Sequence, residues 1–204
     1  MKVIGLTGNI GTGKSTVREI LAGLGAATID SDTLGHELLD NNKKIFRELV
    51  DLFGQNILGE DNKIDRKKLA DIAFRDKEAQ LQLNRIMHTT IDEEVRRRID
   101  RYRRSGYRVV VVEAALLVEA SMNLHMDQIW VTTAPRDVIL SRLKNQKGLS
   151  EEEILARFDK QMPQEEKITY ADVVIDTDCS FEELSKTVTV LWQNIEPESG
   201  DKHR

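Results

Sequence analysis

The sequence holds a single cysteine, Cys179, among 204 residues. One thiol excludes an internal disulfide and a cysteine-rich zinc site. It reads as a buried or incidental thiol in a reducing compartment. The four histidines, His36, His88, His125 and His203, show no HxxxH or comparable metal-ligand spacing. No apolar run approaches the roughly 20 residues of a membrane span. The N-terminus opens on a strand-like segment rather than a secretory leader. A basic excess is also missing: the formal net charge is -5, which argues against a nucleic-acid partner. A small anionic ligand stays open, because a few placed Arg and Lys side chains suffice for it. The expectation is a cytoplasmic protein with no membrane or nucleic-acid partner. Its oligomeric state stays open between a monomer and a weak homo-oligomer.

What is present is ordinary material for a core. Hydrophobic residues make up 40% and charged residues 32%, and the length suits one domain with a sizeable insertion. Lys2 to Thr7, Ala26 to Ile29, Tyr107 to Val112, Gln128 to Thr132 and Val173 to Ile175 read as short buried strands. The third contains four consecutive valines. An apolar-periodic helix through Val17, Ile20, Leu21 and Leu24 stops at Gly25. Strands alternating with helices predict a parallel sheet covered on both faces.

The stretch from Thr33 to Gly106 breaks that rhythm. It has no convincing strand and is dense in charge. Leu83, Met87, Ile91, Val95 and Ile99 recur every four residues, one face of a long helix. Arg96, Arg97, Arg98, Arg101, Arg103 and Arg104 lie on and after it, and read first as a solvated face, second as a contact for a phosphorylated ligand. This stretch is expected to be a helical insertion at 33–106 within a core of 1–32 and 107–195. A charged helical region at about 142–167 suits a lid, with Ser150 and Glu153 in capping-box spacing. The segment 196–204 reads as a disordered tail.

Gly8-Asn9-Ile10-Gly11-Thr12-Gly13-Lys14-Ser15 matches G-x-x-x-x-G-K-[ST] in full. It follows an apolar strand and opens a helix, the context the motif requires. Glycines let the backbone turn its N–H groups toward phosphate oxygens, and the helix N-terminus favours anions. Gly11, Thr12, Gly13, Lys14, Ser15 and Thr16 are therefore the expected ATP-binding residues. Lys14 would bridge the β- and γ-phosphates, and the Ser15 hydroxyl would ligate Mg²⁺. The expected class is an α/β fold with a P-loop NTPase core, a parallel sheet flanked by helices, a helical substrate-binding insertion and a helical lid.

Three further charged positions belong to the same chemistry. Asp30-Ser31-Asp32 follows the second strand, on the sheet edge where ligands bind. Asp32 there reads as a proton acceptor for an attacking hydroxyl, a Mg²⁺ contact, or a helix N-cap. Glu113 ends the valine strand, where an acid is placed to order Mg²⁺ or its water. Arg142 sits late on the helix after the fourth strand. It reads either as a guanidinium brought to the transferring phosphoryl group or as a surface residue paired with an acid.

Gly8 to Thr16, Asp30-x-Asp32, Ile86-Met87-His88, Leu116-Leu117-Val118-Glu119, Arg142-Leu143, Gln161 with Glu166-Lys167, and Ala171 to Ile175 together resemble the dephospho-CoA kinase family in order and spacing. The resemblance runs from Lys2 to about Asp178. It implies transfer of the γ-phosphoryl group of ATP, with Mg²⁺, to the ribose 3′-hydroxyl of dephospho-CoA, the last step of coenzyme A synthesis. It implies Asp32 as the base, Arg142 as the lid arginine, His88 in the acceptor site, and 33–106 as the CoA-binding subdomain. Without it, a lone histidine on a helix reads as structural. Four positions depart from the family pattern: Thr89 and Ala115 replace prolines, Gln146 a second lid arginine, and Thr177 an asparagine. Lys144 or Lys147 is the expected substitute charge for Gln146.

Rival readings are a nucleoside monophosphate kinase, which shares core and lid, an inert nucleotide-binding module, and a GTPase switch. The last rests on Asp32-Thr33-Leu34-Gly35 and Asn62-Lys63-Ile64-Asp65, which match D-x-x-G and N-K-x-D. The second stands too early and has no strand before it, so it reads as turn chemistry.

Overall fold

A computed structural model describes residues 1–73, 75–147, 150–159 and 161–195. β1 (Lys2–Thr7) leads through the glycine-rich turn into α1 (Lys14–Gly23). β2 (Ala27–Asp30), β3 (Val109–Glu113), β4 (Gln128–Thr133) and β5 (Val173–Asp176) complete a five-stranded sheet in the described residues. Its order is β2-β3-β1-β4-β5, and the pairings are parallel. β-branched valines suit a strand covered on both faces, and all of β3 is buried. β1 lies between β3 and β4, with Ile4 opposite Val111 on one side and Gln128 on the other. The chain leaves β1 at the point where its two neighbours diverge, where an open parallel sheet forms a ligand crevice.

The helices follow as α2 (Ser31–Asn41), α3 (Lys43–Phe53), α4 (Arg66–Ala73), α5 (Lys77–Arg104), α6 (Arg136–Lys147), α7 (Glu151–Phe158), α8 (Gln164–Ile168) and α9 (Phe181–Ile195). Two compact units result, Ser31–Arg98 and the remainder, with the boundary inside α5. In the sheet unit, Ile4, Leu6, Val109, Val111 and Trp130 pack with Val17 and Leu21 of α1 and Leu184 and Val188 of α9. The helical unit has its own core of Ile45, Leu49, Ile57, Ile64 and Leu69, joined by Leu83 and Met87 of α5. Asn42 caps α3 by accepting from the Lys44 and Ile45 amides, satisfying donors the helix itself leaves open.

Details of the sequence reading shift for physical reasons. β3 starts at Val109 rather than Tyr107, because Gly106 turns the chain at φ 82° and the Tyr107 ring meets Tyr102 edge-on. Cys179 is exposed, not buried. The arginine cluster is largely absorbed by its own helix: Arg96 pairs with Asp92, Arg97 with Glu94, Arg98 with Glu94 and Glu37, and Arg103 with Asp100. Asp32-Thr33-Leu34-Gly35 is helical within α2. Asn62 sits at φ 57° in a turn closed by Gly59 N–H to Lys63 O, and Asp65 accepts from the Lys67 and Lys68 amides at the start of α4. The first follows β2 but is taken up in the first turns of α2, and among the described residues no strand of the sheet leads into the second, as a guanine-reading loop requires. Ser150 and Glu153 form the full capping box of α7. The expected tail at 196–204 lies outside the described residues. No helix among the described residues is long and apolar enough to cross a membrane.

Candidate nucleotide and phosphoryl-transfer site

The loop between β1 and α1 owes its shape to its glycines. Gly8, Gly11 and Gly13 have φ of 144°, 80° and 79°, conformations that side chains strain. Space forbids substitution as well: a Cβ on Gly8 would lie 2.4 Å from Thr132 Oγ1 and 2.5 Å from Thr132 O. Thr12 Oγ1 is buried within 2.7 Å of both Asn9 O and Thr132 Oγ1. Gly13 caps α1 with no side-chain bond, and the first turn of α1 carries no acid. The open N–H groups and dipole of that turn are thus available to an anion. Lys14 donates to Gly8 O at 3.0 Å and Asn9 O at 3.1 Å, which holds its ammonium within the loop.

The acids at the carboxyl ends of β2 and β3 meet α1 one turn further on. Ser15 Oγ donates to Glu113 Oε1 at 3.1 Å. Arg18 Nε lies 3.2 Å from Glu113 Oε2, and Arg18 Nη1 donates to Asp30 Oδ2 at 2.6 Å. Glu113 is 6% exposed, and its Oε2 has no aligned hydrogen bond. Burial pushes the Glu113 carboxyl above the ordinary range; Arg18 and then Lys14 pull it down, Asp30 raises it, and the Ser15 bond lowers it. A hydroxyl beside an under-satisfied carboxylate is a pair of hard oxygen donors, which Mg²⁺ takes. Ser15 and Glu113 fit that ion.

Arg142 of α6 reaches the same loop. Its Nη1 donates to Gly11 O at 3.4 Å and Thr177 Oγ1 at 2.9 Å, and its Nη2 to Thr177 O at 2.6 Å. Of the two readings, the paired surface arginine is corrected: these partners are a loop carbonyl and a buried threonine, not an acid. Lys144, an expected substitute charge, is taken by Glu151 at 2.8 Å. The side chains of Gln146 and Lys147 lie outside what is described.

Gly11, Thr12, Gly13, Lys14, Ser15, Glu113 and Arg142 therefore converge within the sheet unit. Asp32 and His88 belong to the helical unit. Asp32 is exposed and second in α2, inside the first turn rather than at a cap before it. His88 is half-buried on α5, and burial lowers its pKa below 6.5.

Sequence reasoning assigned no role to Thr177, which is 2% exposed and sits within 3.0 Å of Thr12 O and 3.1 Å of Thr133 O. Nor did it assign one to Gln161, Glu119 or Lys167, beyond their place in the family pattern. Their partners are far away in the chain, and a buried lysine, 0% exposed here, has no signal of its own in sequence. Arg18 carried a fainter one: it lies one turn after Ser15, on the helix side that follows the loop.

A family model described as dephospho-CoA kinase matches residues 2–183. A dephospho-CoA kinase of Dehalococcoides mccartyi is 39% identical over 191 residues, 94% of this chain and 96% of that protein. A crystal structure of TT1252 from Thermus thermophilus superposes with a TM-score of 0.83 at 31% identity, covering 96% of this chain and 98% of that one. The dephospho-CoA kinase of Campylobacter jejuni gives a TM-score of 0.72 at 30% identity, with the same coverage.

Proposed function

The chain belongs to the dephospho-CoA kinase family, and on that premise we propose how its residues carry the reaction. The protein phosphorylates dephospho-CoA at the expense of ATP, in coenzyme A biosynthesis. The observation that carries the residue assignment is the convergence on one loop of Lys14, the Ser15–Glu113 pair and Arg142.

Phosphoryl transfer needs positioning and charge stabilisation more than covalent chemistry. The amides of the phosphate loop and the first turn of α1 bind the β- and γ-phosphates. Lys14 exchanges its carbonyl partners for phosphate oxygens. Ser15, with Glu113 directly or through water, would hold Mg²⁺, which would supply positive charge beside those oxygens. Arg142 offers guanidinium N–H groups to the γ-phosphoryl oxygens. Asp32 orients the ribose 3′-hydroxyl of dephospho-CoA and accepts its proton as the new O–P bond forms. The bond from the γ-phosphorus to the bridging oxygen breaks, and ADP leaves. Residues 33–106 hold the CoA moiety, with His88 among the contacts. The setting is cytoplasmic.

ADP release from ATP and Mg²⁺ is the test, with dephospho-CoA, AMP or no acceptor in parallel and product mass read on each. A phosphate added to dephospho-CoA alone is the expected result. Transfer to AMP instead would move the protein to the nucleotide kinases.

A further inference from the structure

The two motif segments left without a role, Leu116–Glu119 and Gln161–Lys167, meet at the phosphate loop. Lys167 of α8 is fully buried. Its Nζ lies 2.9 Å from Glu119 Oε1 and donates to Ala115 O at 2.8 Å. Glu119 Oε1 also accepts from the Met162 amide at 3.0 Å. The peptide so anchored turns its other groups to the loop: Met162 O accepts from Asn9 Nδ2 at 3.0 Å, and Gln161 Oε1 accepts from the Ile10 amide at 2.9 Å. Asn9 is 6% exposed.

A buried ion pair is weak evidence for stability, because desolvation offsets most of its attraction. Its worth here lies in direction. Asn9 and Ile10 occupy the stretch between Gly8 and Gly11, where the glycines leave the backbone least constrained. A loop that must present several N–H groups to phosphate loses affinity if it has to be ordered on binding. The Ile10 amide is already engaged with Gln161, so this bond shapes the loop rather than meeting the nucleotide.

We propose that Gln161 is a positioning residue for the phosphate loop, and that the pair of buried Lys167 with half-buried Glu119 is the anchor that holds it there. The strap lies at the C-terminal root of the segment expected to be the lid, so lid and loop share one fixed point. The inference rests on the reading of Gly8–Ser15 as the ATP site.

The experiment is steady-state kinetics of the full chain with ATP and dephospho-CoA varied separately, alongside thermal melting. Gln161→Leu keeps the bulk and removes the acceptor for the Ile10 amide. It is expected to raise the KM for ATP roughly five- to tenfold, the weight of one hydrogen bond. The KM for dephospho-CoA should stay put, with the loss falling on ATP KM rather than kcat. The double variant Lys167→Met with Glu119→Gln removes both charges while leaving a carbonyl for the Met162 amide, and should move ATP KM the same way. An unchanged ATP KM in Gln161→Leu overturns the role of Gln161. A joint fall of kcat, both affinities and melting temperature overturns it too, since that marks a structural bond. A normal ATP KM in the double variant, with Gln161→Leu impaired, overturns the anchor. Lys14→Ala is the control: if it leaves ATP use intact, the ATP-site reading itself fails, which is a different result from any of these.

Discussion

Arg142 holds Thr177 with both terminal nitrogens, Nη1 on the hydroxyl at 2.9 Å and Nη2 on the carbonyl at 2.6 Å. A guanidinium has five N–H groups in a fixed fork. Two on Nη1 go to Gly11 O and Thr177 Oγ1, and one on Nη2 goes to Thr177 O. Among the described residues, one N–H on Nη2 and the one on Nε meet no acceptor. Arg142 can therefore keep its hold on Thr177 and still offer two donors to an anion.

Thr177→Val should accordingly act through Arg142. The hydroxyl accepts from Arg142 and has one proton to share between Thr12 O and Thr133 O. Valine keeps the shape and loses all of that. We expect kcat to fall about five- to tenfold, and Arg142→Ala to fall at least as far. The diagnostic is the double variant: if Thr177 works through Arg142, adding Thr177→Val to Arg142→Ala costs little more. Thr177→Asn should restore activity, because a carboxamide oxygen accepts from Arg142 while its NH₂ donates to both carbonyls. Additive losses in the double variant would assign Thr177 to folding alone.

Asp32→Asn keeps the size and polarity of the side chain and removes the base. Turnover should drop by about a hundredfold or more, the usual weight of general-base catalysis, while ATP affinity changes little. Equilibrium binding of ATP beside kcat separates the two. An equal loss of both would place Asp32 in folding or in Mg²⁺ binding.

Glu113 makes a prediction in which stability and activity move in opposite directions. Its folded pKa is raised, mainly by burial, so the folded state holds the proton more tightly than the unfolded chain. The stability linked to that proton is present below the ordinary 4.5 and is lost as pH rises through the folded pKa. Glu113→Gln abolishes this loss. Its melting temperature at neutral pH should match or exceed that of the parent, with the difference shrinking toward pH 4. Turnover should fall, and more Mg²⁺ should be needed for half-maximal rate. A variant that melts lower at neutral pH would show that the Arg18 and Ser15 contacts outweigh the burial of the charge.

How much of this was legible in the sequence depends on distance along the chain. The phosphate loop is local: strand, glycines, lysine and helix lie within Lys2–Gly23, and each residue type states its own reason. β3 was legible because four valines in a row have few other uses. Tyr107 misled because its aromatic ring looks strand-like, whereas it packs on Tyr102 across the turn at Gly106. The supports of the site were not legible. Ile10 meets Gln161 across 151 positions, and Arg142 meets Thr177 across 35, and no periodicity records such a meeting. Lys167 looks like any charged residue on a polar helix until the fold buries it. The family pattern marked these residues without giving a reason, and hydrogen bonds supply one.

His88 gives the last prediction. It is half-buried on α5, and burial alone lowers its pKa, so the imidazole is neutral at pH 7. A neutral imidazole has one donor and one acceptor, and among the described residues neither is bonded. If the acceptor substrate takes one of them, His88→Phe, which keeps a ring and removes both nitrogens, should raise the KM for dephospho-CoA about five- to tenfold. The KM for ATP should stay unchanged. Stability should show the opposite sense. A lowered folded pKa means that the unfolded chain binds the proton more tightly. Its stabilising share is present above the ordinary value of 6.5 and is lost as pH falls through the lower folded value. The parent should therefore lose melting temperature on acidification through that window more steeply than His88→Phe does. A dephospho-CoA KM that does not move, with this pH difference present, would leave His88 as a packed ring of α5 and remove it from the substrate site.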